Sequence, residues 1–149
     1  MKIAALSKRR AFVALLLALA PWAGHALAAD TVYVVVAAQS PIRAVSQKDV
    51  LALFTGRCRT LADGSVAIPL DQQRDGTVRA AFYQALTGMD IARIDSYWAR
   101  LHFTGQVQPP QALGDDASTI QRLRADPTAI GYLAREPSDP SVRVVLRLP

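Results

Sequence analysis

The chain has 149 residues, 51% of them hydrophobic, and carries 17 Lys and Arg residues against 12 Asp and Glu, a formal net charge of +5 at pH 7. Four of the bases (Lys2, Lys8, Arg9 and Arg10) lie in the first ten residues, so the remainder of the chain is nearly neutral. A nearly neutral remainder gives no electrostatic basis for binding nucleic acid or an anionic membrane surface, and we set both functions aside.

Residues 1–28 have the pattern of an export signal. A basic start is followed by the apolar run 11–20 and by the small-residue cleavage site Ala26-Leu-Ala28. The apolar run is too short for a membrane span, which needs about 20 residues. Arg9-Arg10 partly resembles a twin-arginine motif, but the ordinary secretory route is the default. No cysteine follows the cleavage site to carry a lipid, so we expect an exported, periplasmic protein without a membrane anchor and with one domain, residues 29–149.

Few residues of this chain are suited to catalysis or metal binding. Cys58 is the only cysteine, which excludes an internal disulfide and a cysteine-based metal cluster. Arg57 and Arg59 would favour its thiolate, but we interpret it as an incidental, half-buried thiol. His25 lies in the leader, and His102 has no partner at metal-ligand spacing. Because no nucleophile or phosphate-cradling motif is present either, we expect no enzyme, no metal and no cofactor.

Beyond the leader, strand-like and helix-like segments alternate. The apolar, β-branched run 31–37 predicts a strand buried on both faces, and 66–70 a second strand. A capping-box pattern at 46–49 predicts a helix that ends at Gly56. Further helices are predicted over about 77–87, from Asp90, and from Asp115 or Asp116, with an extended connector over 106–111. Strands are predicted over 129–133 and 142–148. This order predicts an α/β fold, a layered central sheet with helices on both faces.

The polar turn between the second strand and the second helix is the candidate binding site. Gly76 and Thr77 open the helix, whose N-terminus offers unpaired N–H groups and a partial positive charge that can hold an anion. Arg74 precedes the helix and Arg79 lies in its first turn, where a cation opposes the helix dipole. Arg79 therefore needs a negative partner, which is either Asp75 or a bound oxyanion.

Seven short motifs follow one another along the chain: Phe54-Thr-Gly56, Pro69-Leu-Asp-Gln72, Arg79-x-x-Phe82, Tyr97-Trp98, Phe103-Thr-Gly105, Pro109-Pro110 and Ala129-Ile-Gly-Tyr132. In this order they resemble the periplasmic phosphate-binding protein of phosphate ABC transporters, and more closely its short, single-lobe relatives. The resemblance covers nearly all of residues 29–149. It implies the fold of one lobe of a periplasmic solute-binding protein.

The resemblance also implies a set of ligand-binding residues. The family holds its anion with backbone N–H groups at helix starts, with hydroxyls, and with an arginine and an aspartate. The turn before the second helix is similar to a contracted form of the family's Arg-Ser-Asp-Gly-Ser-Gly-Thr turn. On that basis Arg74, Asp75, Gly76 and Thr77 take ligand positions, and Ser40 supplies a hydroxyl from the early strand–loop–helix element. Asp75 would accept a hydrogen bond from a protonated oxyanion and so favour phosphate over sulfate.

The implied ligand is phosphate or a similar oxyanion, and the implied protein partner is an ABC transporter permease or an envelope sensor. A single lobe leaves the ligand more open to water than a closing cleft does, which weakens binding. The chain therefore binds an oxyanion loosely, completes its cleft as a homodimer, or keeps the fold as a ligand-free periplasmic adaptor or sensor partner. Oxyanion binding is our first hypothesis and the adaptor is the alternative.

Overall fold

The computed structural model describes residues 31–105 and 107–149, so the export signal predicted for residues 1–28 lies outside the described residues. Within them no helix is both long enough and apolar enough to cross a membrane. The elements in chain order are β1 Val32–Ala37, α1 Gln47–Phe54, β2 Ile68–Asp71, α2 Thr77–Thr87, α3 Ile91–Phe103, β3 Gln111–Ala112, α4 Asp116–Ala125, β4 Ala129–Leu133 and β5 Val142–Leu148.

The strands form one mixed sheet in the order β3-β2-β4-β1-β5. β2 runs parallel to both β3 and β4, whereas β1 runs antiparallel to both β4 and β5. β1 is thus paired on both sides, as its continuous apolar sequence predicts, and it lies one strand from the edge, with β4 at the centre.

Helices cover both faces of the sheet, which confirms the predicted layered α/β fold. Alternate residues of a strand point to opposite faces. Val34 packs with Phe54 and Phe82 in the cluster beneath α1, α2 and α3, and Val32 and Val36 belong to the same cluster. Val35 instead packs with Leu70 and Leu123 in the cluster beneath α4.

Aromatic rings fill the larger cluster. The ring of Phe82 on α2 stacks on that of Tyr132 on β4, with centroids 3.8 Å apart and planes 4° apart. Phe54 meets Phe82 edge-on with a centroid distance of 4.8 Å. Phe82 and Trp98 are both buried, as the apolar stripes of their helices predict.

One strand pairing fixes the position of the connector, and one close contact fixes the position of α4 on the sheet. The predicted extended connector ends in β3, where Gln111 and Ala112 pair with Leu70 and Asp71 of β2. A two-residue pairing leaves no periodic signal in the sequence, so this strand was not predicted. On the α4 face, a Cβ added to Gly131 of β4 would lie 2.8 Å from Cγ2 of Thr119, so only glycine lets the helix pack this closely.

Candidate functional site

The polar residues of interest gather where β2 and β4 end. Because these two strands are parallel, their carboxyl ends lie at one edge of the sheet, and ligands of open α/β sheets bind outside such an edge. The turn that leads into α2 lies there. α4 also begins there, since it follows β3, which is parallel to β2.

Asp71, the last residue of β2, is the centre of a buried hydrogen-bond network. Its Oδ2 accepts from Nε of Arg79 at 3.0 Å and from the Tyr83 hydroxyl at 3.2 Å. Its Oδ1 accepts from the Tyr132 hydroxyl and from the backbone N–H of Gln72. The carboxylate therefore ties β2 to α2 and to β4.

Gln72 extends the network to the fourth helix. Its Nε2 donates to Oδ1 of Asp116 at 2.7 Å and to the backbone oxygen of Tyr132 at 2.8 Å. The carboxylate of Asp116 also accepts from the N–H of Ala134, the residue after β4. These bonds hold the start of α4 against the ends of β2 and β4.

Arg79 is buried, with 3% of its surface exposed. Its Nε lies 3.0 Å from Oδ2 of Asp71 and its Nη2 lies 2.9 Å from Oδ1 of Asp95 on α3. The expectation that Asp75 would be its protein partner is therefore wrong. Burial alone would lower the pKa of Arg79, but the hydrogen bonds and charges of Asp71 and Asp95 outweigh it and raise that pKa.

One nitrogen of this guanidinium donates no hydrogen bond to another described residue. Among residues 31–105 and 107–149, the buried Nη1 of Arg79 has no hydrogen-bond acceptor. A buried donor without a partner is costly, and native proteins tolerate few of them.

The two buried tyrosines act as fixed donors. Burial, followed by the negative charge of Asp71, raises the pKa of both Tyr83 and Tyr132 far above the ordinary value for a phenol. Both hydroxyls therefore keep their protons at neutral pH and donate to Asp71.

The structure places two of the predicted site residues, Arg74 and Arg79, at one cavity. Both line a cleft of about 330 Å³, which we call the arginine cleft. Arg74 is exposed, whereas Arg79 is buried. The rest of the wall comes from α3 and the connector: Asp95, Trp98, Ala99, His102, Phe103, Gln108 and Pro109.

The other predicted residues of the turn lie outside the arginine cleft. Asp75 and Thr77 are exposed, and neither they nor Gly76 line its wall. The N–H of Gly76 donates to the backbone oxygen of Gln73 at 2.9 Å, so it closes the turn instead of facing a ligand. Gly76 is the N-cap of α2, and no side chain caps this helix.

Ser40 is not near the turn. Because β1 is antiparallel to β4, the end of β1 lies at the edge where β4 begins, opposite the edge that carries Arg74. Ser40 is buried there, with its Oγ accepting from the N–H of Ile42 at 3.3 Å and its backbone oxygen accepting from Arg143. The grouping of Ser40 with the turn does not hold, since it required β1 and β2 to end at the same edge.

Sequence reasoning missed the carboxylates and tyrosines of the network. Arg79 and Tyr83 stand four residues apart on α2, a spacing that places both on one helix face, and the Arg79 guanidinium lies 5.2 Å from the Tyr83 ring centroid. Asp71 directly follows the apolar run 66–70, which could have marked it as a strand-end site residue. No group of three or more metal-ligating side chains occurs in the described part of the chain.

The same fold occurs in solved structures of phosphate-transport proteins. A phosphate ABC transporter substrate-binding protein with bound phosphate, from Clostridium perfringens, matches with a TM-score of 0.58 at 14% identity. An ABC-type phosphate transport receptor from Vibrio cholerae matches with a TM-score of 0.59 at 11% identity, and PstS from Borrelia burgdorferi with 0.52 at 9%.

Each match covers 78% of this chain but only 45%, 47% and 46%, respectively, of the solved chain. The chain thus has the fold of one lobe and spans less than half the length of these proteins, which confirms the predicted resemblance at the level of fold. No protein-family model matches the sequence, and no curated protein matches it.

Proposed function

We propose that this chain is an exported oxyanion-binding module, with phosphate as the ligand class and the arginine cleft as the binding site. The observation that carries this proposal is the buried Nη1 of Arg79, a charged donor without an acceptor among the described residues, in a side chain that lines the same cleft as Arg74. An oxyanion that accepts from Nη1 would remove the cost of the unpaired donor and form a charge-assisted hydrogen bond.

The charges around the cleft determine both the affinity for an anion and the choice between anions. Asp71 and Asp95 carry two negative charges against the one positive charge of Arg79, so Arg74 brings the sum to zero and is the cation that remains to attract an anion. Asp95 lines the cleft and would repel a fully ionised anion, but it would accept a hydrogen bond from a protonated one. We therefore assign to Asp95 the preference for phosphate over sulfate that the sequence analysis assigned to Asp75.

The export signal, the periplasmic location and the partners belong to the same proposal. The solved structures with this fold include a substrate-binding protein with bound phosphate and an ABC-type transport receptor, which favours a role beside an ABC transporter permease or an envelope sensor. A homodimer would complete the cleft that one lobe leaves open. If the signal is cleaved after Ala28, the first residue of the exported protein is Ala29. An intact-mass measurement that finds residues 1–28 retained would contradict the predicted export signal.

Calorimetric titration with phosphate and with sulfate tests the site. We expect the wild-type protein to bind phosphate at millimolar concentration and more tightly than sulfate. Arg74→Ala should weaken phosphate binding by at least about tenfold, because a charge-assisted hydrogen bond is lost. Arg135→Ala is the matched control, since Arg135 is exposed like Arg74 but lies outside the arginine cleft. Equal affinities in the two variants, or no saturable binding of either anion, would exclude oxyanion binding at this site.

The adaptor is the second candidate function, and a specific observation favours it. Phe103, at the end of α3 on the wall of the arginine cleft, is 94% exposed. Phenylalanine is one of the residue types that are enriched in protein–protein interfaces relative to the rest of the surface. If the titration shows no anion binding, a protein that covers Phe103 becomes the better explanation of this surface.

A further inference from the structure

The arginine cleft adjoins a second, apolar cavity. This cavity has a volume of about 410 Å³, and we call it the apolar groove. It shares Trp98, Gln108 and Pro109 with the arginine cleft, so the two cavities meet at these three residues. The rest of its wall includes Leu53, Val66, Ile68, Pro69, Val107 and Pro110.

The groove holds apolar side chains that the fold itself leaves in water. Val66 is 55% exposed and Ile68 is 42% exposed, although both precede or begin a strand of the central sheet. Its volume falls in the range of small-molecule sites, which are concave, mainly apolar and served by a few polar groups. An apolar groove joined to a cleft with two arginines has that composition.

We infer that the ligand is an amphipathic oxyanion, a phosphate- or phosphonate-type head group that carries an apolar substituent. The head group would accept from Arg74 and from Nη1 of Arg79, while the substituent would pass the Gln108–Pro109 rim and cover Val66 and Ile68. This inference rests on the proposed function and adds the chemistry of the ligand to it. Arg59, which also lines the groove, adds positive charge at its rim.

The inference predicts which part of the ligand each cavity recognises. A head group with no substituent, as in inorganic phosphate, or with only a methyl group, as in methylphosphonate, meets only the arginine cleft. Phenylphosphonate has the same kind of head group and adds a ring that can enter the groove. Removal of roughly 60 Å² of apolar surface from water corresponds to about a tenfold gain in affinity.

The experiment is a calorimetric comparison of inorganic phosphate, methylphosphonate and phenylphosphonate on three proteins: wild type, Arg74→Ala, and the double variant Val66→Thr/Ile68→Thr. Threonine keeps the β-branched shape that these strand residues favour while adding a polar hydroxyl. We expect phenylphosphonate to bind the wild-type protein about tenfold more tightly than methylphosphonate. The double variant should lose most of this gain and bind phosphate as before, and Arg74→Ala should weaken all three probes.

The outcomes separate this inference from the proposed function. Equal affinities for all three probes in the wild-type protein, with loss in Arg74→Ala, would overturn the inference and leave oxyanion binding in place. Phenylphosphonate binding that does not depend on Arg74 would overturn it as well, since the groove would then act alone. Loss of Arg74 dependence for every probe would overturn both proposals. If the double variant does not fold, the comparison of the three probes on the wild-type protein decides the matter.

Discussion

At the scale of single residues, Asp71 holds the site together. It is a buried carboxylate that accepts from one charged and two phenolic side chains on two other elements, α2 and β4. A buried charge costs little only when it is paired and fully hydrogen-bonded. Asp71 and Arg79 therefore depend on each other, whereas the exposed Arg74 is available to a ligand.

This dependence predicts a contrast between the two arginines of the cleft. Arg79→Ala leaves Asp71 buried without its charged partner and should lower the free energy of unfolding by about 3–5 kcal/mol. Arg74→Ala removes an exposed side chain and should change it by less than about 0.5 kcal/mol. Urea unfolding of both variants measures the difference. A loss below about 1 kcal/mol for Arg79→Ala would show that water or another side chain takes over the role of the guanidinium.

The sequence predicted that Arg79 needs a negative partner but not which one. Local spacing favours Asp75, four residues before Arg79, and this choice was wrong. The real partners are eight residues upstream on a strand and sixteen downstream on another helix, positions that only the packing of α2 on the sheet brings close. Arg74 and Arg79 line one cavity because only one short turn separates them along the chain.

At the scale of elements, the contact between α4 and β4 is tight enough to test. Gly131 faces Thr119, whose Cγ2 would lie 2.8 Å from any added Cβ. The Thr119 hydroxyl donates to the backbone oxygen of Asp115 at 2.9 Å and fixes the side chain in this orientation. The methyl group therefore cannot turn away without losing a hydrogen bond.

Gly131→Ala should lower the free energy of unfolding by about 1–3 kcal/mol, the usual cost of overpacking. Thr119→Ser in the same protein should recover most of this loss, because serine lacks Cγ2 but keeps the hydroxyl. A double-mutant cycle measured by thermal unfolding gives the coupling between the two positions. Additive effects would mean that the alanine is accommodated by a shift of the strand rather than by contact with Thr119.

Most elements were predictable, but their arrangement was not. Ser46, Asp90 and Asp115 cap α1, α3 and α4 with side-chain hydrogen bonds, as the capping patterns predict. Strand order and direction depend on pairings between residues 61 to 116 positions apart, for which one sequence holds no local signal. This is why the sequence did not show that Ser40 and the turn before α2 lie at opposite ends of the strands, although β1 itself was predicted correctly.

At the scale of the whole molecule, the buried tyrosines determine how stability depends on alkaline pH. Tyr83 and Tyr132 have pKa values raised above the value of 10.0 for an exposed phenol, first by burial and then by the charge of Asp71. Unfolding exposes both groups, so above pH 10 the unfolded chain loses protons that the folded chain retains. The stabilisation is fully present below pH 10 and declines as the pH rises above it.

We therefore expect the free energy of unfolding to fall between about pH 9 and pH 11, with a smaller slope in Tyr83→Phe and in Tyr132→Phe. Urea unfolding at several pH values measures how the free energy of unfolding changes with pH, and ultraviolet absorbance measures the formation of phenolate. A rise in absorbance from both tyrosines while circular dichroism remains native would contradict the prediction, because it would show that the hydroxyls ionise within the folded protein.

The pairing of β1 determines when the sheet can form during synthesis of the chain. β1 is hydrogen-bonded only to β4 and β5 within the sheet, and roughly 90 residues separate the end of β1 from the start of β4. At about 5–20 residues per second, a ribosome needs roughly 5 to 20 s to supply that partner. Throughout that interval β1 has no strand of the sheet to pair with, and its backbone N–H and C=O groups are open to pairing with other chains. The sheet is therefore completed only after β5 has been made.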